Sequence, residues 1–149
     1  MTSEELLQSF WRHRKATQRI ADLMPDERFG FRPYEGWRSF AELVLHVADA
    51  TDRMLAPAAG KAPAQGASPS PEGAAAIRRY LAAKSASQEE LVRTLAADPR
   101  RPVEWRGMQM PAELLLAQAR EHEAHHKGQL MLLARLAGVR DEMFYLDRG

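Results

Sequence analysis

Residues 120–138, REHEAHHKGQLMLLARLAG, set histidines into the apolar face of a helix that ends on a glycine. Imidazole is a poor core filler, because a buried ring must satisfy two nitrogens, yet it is the commonest metal ligand near neutral pH. At about 100° per residue, with His122 taken as zero, Leu115, Ala119, His126, Leu130, Leu133 and Ala137 fall within about 80° of it. Arg120, Glu121, Glu123, Lys127 and Arg135 lie from about 100° to 260°, and that side is expected to face solvent. His122 and His126 thus stand i and i+4 in the middle of the core-facing stripe. His125, at about 300°, lies at its edge, open either to replace His126 as a ligand or to hydrogen-bond behind one. The more central position favours His126.

Working outward, three more helices can be read. The first opens at Ser3 and runs to about Met24, with Leu6, Phe10, Ile20 and Leu23 as its inner stripe and Pro25 as its stop. His13 sits among Arg12, Arg14 and Lys15 on what reads as a charged, solvated face. A loop rich in Pro, Gly and aromatics (26–37) precedes a second helix that starts after Ser39, an N-cap with Glu42 at the capping-box position, and ends near Leu55. Residues 56–71, APAAGKAPAQGASPSP, form an Ala/Pro/Gly/Ser linker with no core-forming residue. Extended, that linker spans roughly 50 Å, more than the roughly 26 Å of the second helix, so the third helix (about 72–97) can run parallel to the second. Residues 98–111 carry a short extended piece, VEW, turned at Arg106-Gly107, and Pro111 is placed as the first residue of the fourth helix. Met143, Phe144, Tyr145 and Leu146 in the tail are expected to pack back on the bundle. The reading is all-α: a four-helix bundle with a long crossover between helices 2 and 3, with residues 1–149 as a single domain.

Composition narrows the partners. Lys+Arg 21 against Asp+Glu 20 leaves a formal +1, so no global field draws the protein to nucleic acid or an anionic membrane. With no cysteine, disulfides, Cys-ligated zinc and thiol nucleophiles are excluded. MTSEELLQSFWRHR at the N-terminus has no apolar run long enough for a signal peptide or a membrane span, so the expected location is cytoplasmic.

His46, in FAELVLHVADATDRML, lies at the edge of the stripe formed by Leu43, Val47, Ala50 and Met54. An i,i+4 histidine pair can bring two imidazoles to one ion, and a histidine from a facing helix can complete a three-nitrogen site with an open position. Spacing alone leaves that site and a structural role for the rings both open. The combination of FRPYEGWRSFAELVLHVADA with HEAHHKGQLMLLARLAG, however, resembles the DinB/YfiT-like metalloenzyme family, across almost the whole chain. The resemblance implies a four-helix bundle of down-up-up-down connectivity with a metal triad of His46, His122 and His126. His125 matches a histidine that often precedes the last ligand, and Lys127 stands where an arginine is common.

The function implied by resemblance is a divalent-metal-dependent thiol S-transferase or hydrolase acting on a small molecule. The ion would be Zn, Ni, Fe or Mn, with a low-molecular-weight thiol as a further cofactor and a homodimer as the assembly. Asp49, one turn after His46, is the candidate for a role behind the ligands. Gln129 and Gln118 could hydrogen-bond ligands or substrate, and Arg32, Tyr34 and Trp37 could wall the site mouth. Glu123 reads as solvent-facing. The alternative is a non-catalytic, stress-related dimeric binding protein with a structural or vestigial metal site. Direct DNA binding is not expected, given the near-neutral charge and the lack of a recognition motif.

Overall fold

The computed structural model describes residues 1–62 and 67–140. Its elements are α1 (Ser3–Leu23), a 3-10 turn (Asp26–Arg28), α2 (Phe40–Ala58), α3 (Ala74–Ala97), β1 (Pro102–Trp105), β2 (Met108–Pro111) and α4 (Ala112–Leu136). The helix starts follow the sequence signals. Thr2 and Ser39 both close capping boxes, the latter with Ser39 N donating to Glu42 at 2.7 Å and Glu42 N donating back to Ser39 Oγ at 3.1 Å. The β1–β2 hairpin turns at Arg106 (φ 50°) and Gly107 (φ 77°), the two left-handed residues that a two-residue turn requires. Pro111 is the residue before α4 rather than its first. The first-turn N–H groups of Ala112 and Glu113, which have no partner within the helix, donate to Arg101 O and Pro99 O, at 2.9 and 2.8 Å.

Two apolar clusters fill the bundle, one at each end. One gathers Ile20, Phe29, Phe40, Leu43, Ile77, Leu81, Leu130 and Leu133; the other gathers Leu6, Phe10, Leu55, Leu91, Leu95 and Leu115. The order in which each helix meets the clusters gives its direction. α1 and α4 run one way, α2 and α3 the other. Parallel α2 and α3 cannot be joined by a tight turn, which is why the long crossover is needed.

α2 runs three residues beyond the expected end at Leu55. Pro57 enters its last turn, Ala56 is buried, and Gly60 in the left-handed region (φ 74°) ends the run. The expectation that Met143 to Leu146 pack on the bundle falls outside the described residues.

Between the two clusters lies a polar layer, and it corrects the reading of two helix faces. Arg14 and Glu123, both expected on solvated faces, are 0% exposed, and Lys127 is buried at 8%. The reason is packing on two sides: α4 lies against α1 as well as α2, so the flank of α4 beside the histidine stripe is also covered. Arg14 and Glu123 form an ion pair, with Arg14 Nε donating to Glu123 Oε2 at 3.0 Å and Nη2 donating to Oε1. The remaining donors reach Thr51 Oγ1 (3.0 Å), Ser85 Oγ (3.1 Å) and Gln88 Oε1 (2.6 Å). Every guanidinium N–H is thereby used, by groups from the other three helices.

Removing one partner of a buried ion pair strands the other charge, at about 3–5 kcal/mol. The variant Arg14→Leu should therefore lose about that much unfolding free energy in urea titration; a midpoint equal to wild type would contradict the role given to this layer.

Candidate metal centre

His46 stands on α2, and His122 and His126 stand one turn apart on α4. Antiparallel packing of these helices brings the three rings to one place on the seam between them. His46 Nε2 lies 3.2 Å from His122 Nε2 and 3.2 Å from His126 Nε2. One nitrogen from each ring belongs to a group whose members all lie within 4.8 Å of one another. Two of the ring pairs, His46–His126 and His122–His126, meet edge to face at 85° and 74°, and His46–His122 is tilted at 54°. Two nitrogens on one tetrahedral ion with bonds of about 2.0–2.1 Å stand about 3.3 Å apart, so the His46 spacings suit a shared cation.

The surroundings leave lone pairs available. Gln129 Oε1 can only accept, so its 2.7 Å contact with His126 Nδ1 places that ring's proton on Nδ1 and its lone pair on Nε2, toward the other rings. His122 Nδ1 is buried and, among the described residues, has no hydrogen-bond partner. That ring is anchored through Nε2 alone. Burial, reinforced by the charges of Arg38, His126 and Arg53, pushes the His46 pKa down to about 4. Burial and the neighbouring His126 and His46 push His122 down to about 3. His126 is also lowered, chiefly by burial, against the opposing effects of the Gln129 bond and the Glu123 carboxylate. All three are neutral at pH 7, so no proton need leave before a cation is bound.

The other expected residues fall at varying distance from this group. His125 is exposed and outside it, with its ring centroid 4.8 Å from that of His126. The Asp49 carboxylate is occupied on its other side, accepting from Tyr80 Oη at 2.5 Å and Ser68 Oγ at 2.8 Å. Gln129 bonds a ring of the group as described, whereas Gln118 makes no such bond among the described residues. Arg32 folds its own loop, donating to Trp37 O and to Glu42 Oε1 (3.1 Å). Tyr34 and Trp37 lie against each other, centroids 5.7 Å apart. The sequence reading missed Arg14, Thr51 and the inward turn of Glu123, which back the histidine pair.

Comparison with known proteins adds a family. A family model described as the DinB family matches residues 1–148. A DinB-like protein from Bacillus cereus ATCC 10987 superposes with a TM-score of 0.75 at 24% identity, covering 92% of this chain and 93% of that one. A DinB-like protein from Bacillus subtilis superposes with a TM-score of 0.68 at 22% identity, covering 92% and 94%. These likenesses establish a shared fold. No curated protein matches the chain.

The depressed histidine pKa values fix a pH dependence for the metal-free protein. Between pH 6.5 and about 4 the unfolded chain takes up protons on His46 and His122 that the folded chain refuses. Stability from these groups is thus complete above pH 6.5 and declines as pH falls through that window. Urea midpoints measured with chelator should show the decline, and the double variant His46→Gln, His122→Gln should flatten it. An equal slope in both proteins would show that the rings titrate normally.

Proposed function

We propose that this chain, which belongs to the DinB family, binds a divalent transition-metal ion through His46, His122 and His126 and acts as a thiol S-transferase or hydrolase on a small molecule. The observation that carries the reading is the convergence of three neutral imidazole nitrogens, drawn from two helices, on one point. Three protein ligands are the number that leaves a coordination position open, as catalytic rather than structural sites do. When bound, the ion supplies Lewis acidity that brings a thiol or a water toward its anion near neutral pH.

The chain's own residues contribute orientation and charge. Gln129 holds His126 in the tautomer that presents Nε2. Arg38 and Arg53 both act on the cluster electrostatically, Arg38 on His46 and His126 and Arg53 on His46 and His122. Their positive potential favours an anionic ligand, a thiolate or a carboxylate-bearing substrate, over a neutral one. Lacking cysteine, the protein needs its thiol from a small-molecule donor. Imidazole ligands suit zinc, nickel and iron better than manganese, which prefers oxygen donors, and among these identity follows from availability and geometry.

Untagged protein titrated with Zn2+, Ni2+ or Co2+ in a calorimeter should bind one ion per chain. His122→Ala and His126→Ala should each weaken that binding by at least about tenfold, since each removes a ligand outright. Thiol-transfer and hydrolysis assays across a panel of small electrophiles and esters should respond to chelator and recover on adding the ion back. A chain that takes up no stoichiometric ion defeats the reading.

A further inference from the structure

We propose that Thr51 and Glu123 are positioning residues for the three-histidine centre: their buried hydrogen bond, held by Arg14, sets the register of α4 against α2 and thereby the spacing of His46 from His122 and His126. The inference rests on the metal-binding reading above.

The need for such a device follows from how the site is divided. One ligand is on α2 and two are on α4, and no ligand helix carries all three. A metal site tolerates errors of only about 0.2 Å in its bonds. Apolar packing between helices is far less exacting, because volume-conserving rearrangements of a core are tolerated at little cost. Shared membership of one apolar cluster, as of Leu43 and Val44 on α2 and Leu130 on α4, can hold the two helices together without specifying their register to that precision. Hydrogen bonds can, because they are directional.

The structure supplies one such bond at the right place. Thr51 Oγ1 donates to Glu123 Oε1 at 3.1 Å, a direct tie between α2 and α4 in the bundle interior. Glu123 follows His122 and precedes His126 by three residues, so fixing its carboxylate fixes the rotation of the turn that bears both rings. Thr51 lies five residues beyond His46, about 140° around α2, so the tie sits on the inner side of the seam and the histidines on its outer side. Arg14 clamps the carboxylate from α1 and also donates to Thr51 Oγ1 at 3.0 Å. Ser85 and Gln88 brace the guanidinium from α3. Gln88 Nε2 in turn donates to Ala48 O at 2.8 Å, two residues from His46, and to Asp52 Oδ1 at 2.9 Å. Both ligand-bearing segments are therefore pinned to one buried group. Thr51 and Glu123 are 1% and 0% exposed, so water does not compete for the bond.

Buried ion pairs are weak contributors to net stability, and apolar replacements of similar volume often fold as well or better. That separates positioning from stability experimentally. Thr51→Val keeps the side-chain volume and removes only the hydroxyl, whereas Thr51→Ser keeps the hydroxyl. The double variant Arg14→Met, Glu123→Leu replaces the pair by apolar groups. Each full-length protein is titrated with Co2+ alone, reading both affinity and the visible ligand-field spectrum, with folding checked by circular dichroism. Thr51→Val and the double variant should fold, bind Co2+ at least about tenfold more weakly than wild type, and show an altered spectrum, as loss of groups that orient ligands does. Thr51→Ser should bind as wild type does. If wild type binds Co2+ and the two disrupting variants match it in affinity and spectrum, the positioning role is overturned while the metal reading stands. If wild type takes up no Co2+, the metal reading falls and this inference falls with it.

Discussion

A single buried guanidinium organises this bundle. Arg14 enters the centre of the core from α1 and finds a carboxylate, a hydroxyl on α2, and a hydroxyl and an amide on α3. Removing a charge from water costs several kcal/mol even after relaxation, and only complete pairing offsets it. Complete pairing demands that four helices present specific atoms at one point. Apolar clusters above and below supply the driving force for assembly. The polar layer between them supplies direction, because an arrangement shifted by one turn would leave Arg14 or Glu123 unpaired.

That layer lies directly behind the histidines. Glu123 points inward from the turn of α4 whose other side carries His122 and His126 toward α2. The helix is two-sided, covered by α1 on one flank and by α2 on the other, and each side holds polar groups for a different purpose. On the inner side the groups are charged and mutually satisfied. On the seam they are neutral imidazoles crowded within hydrogen-bond distance, with His122 Nδ1 unpartnered among the described residues. Such a crowd of lone pairs could hold a cation, so the same geometry that is awkward as core packing is apt as a ligand set.

Electrostatics around the seam has a definite sign. Burial keeps the three rings neutral, and Arg38 and Arg53 add positive potential where Asp49 adds a smaller opposing influence on His46. Tyr80 and Ser68 hold that carboxylate to the α2–α3 side. A divalent ion held by the three rings would therefore stand in a field that favours anions over cations. The DinB family supplies the frame for this reading, and the residues of this chain supply its charge.

Much of the architecture was legible before any coordinates. The capping box at Ser39, the Arg106-Gly107 turn, the linker length and the closing Gly138 are local signals, and each marks an element boundary within a few residues of its place. The histidine pair was legible too, because i,i+4 spacing depends only on helix geometry. The fate of Arg14 and Glu123 was not read correctly, although periodicity held a trace of it. Arg14 falls on the same stripe as Leu6, Phe10 and Thr17, and Glu123 aligns with Ala112, Leu116, Ala119, Leu130 and Ala134, a second apolar stripe on α4. A helical wheel shows which residues share a face, but it cannot say how many neighbours cover the helix or whether a charge on a covered face meets its counter-charge. That pairing joins residues 109 positions apart, and so does the meeting of His46 with residues some 80 positions on. The amino-acid sequence by itself determined the helices, their order and the i,i+4 histidine pair, because those depend on local geometry, and His46 entered as a ligand through the family resemblance. Only the tertiary structure decided that the three imidazoles converge and that a buried salt bridge stands behind them, because both require partners brought together by packing across the bundle.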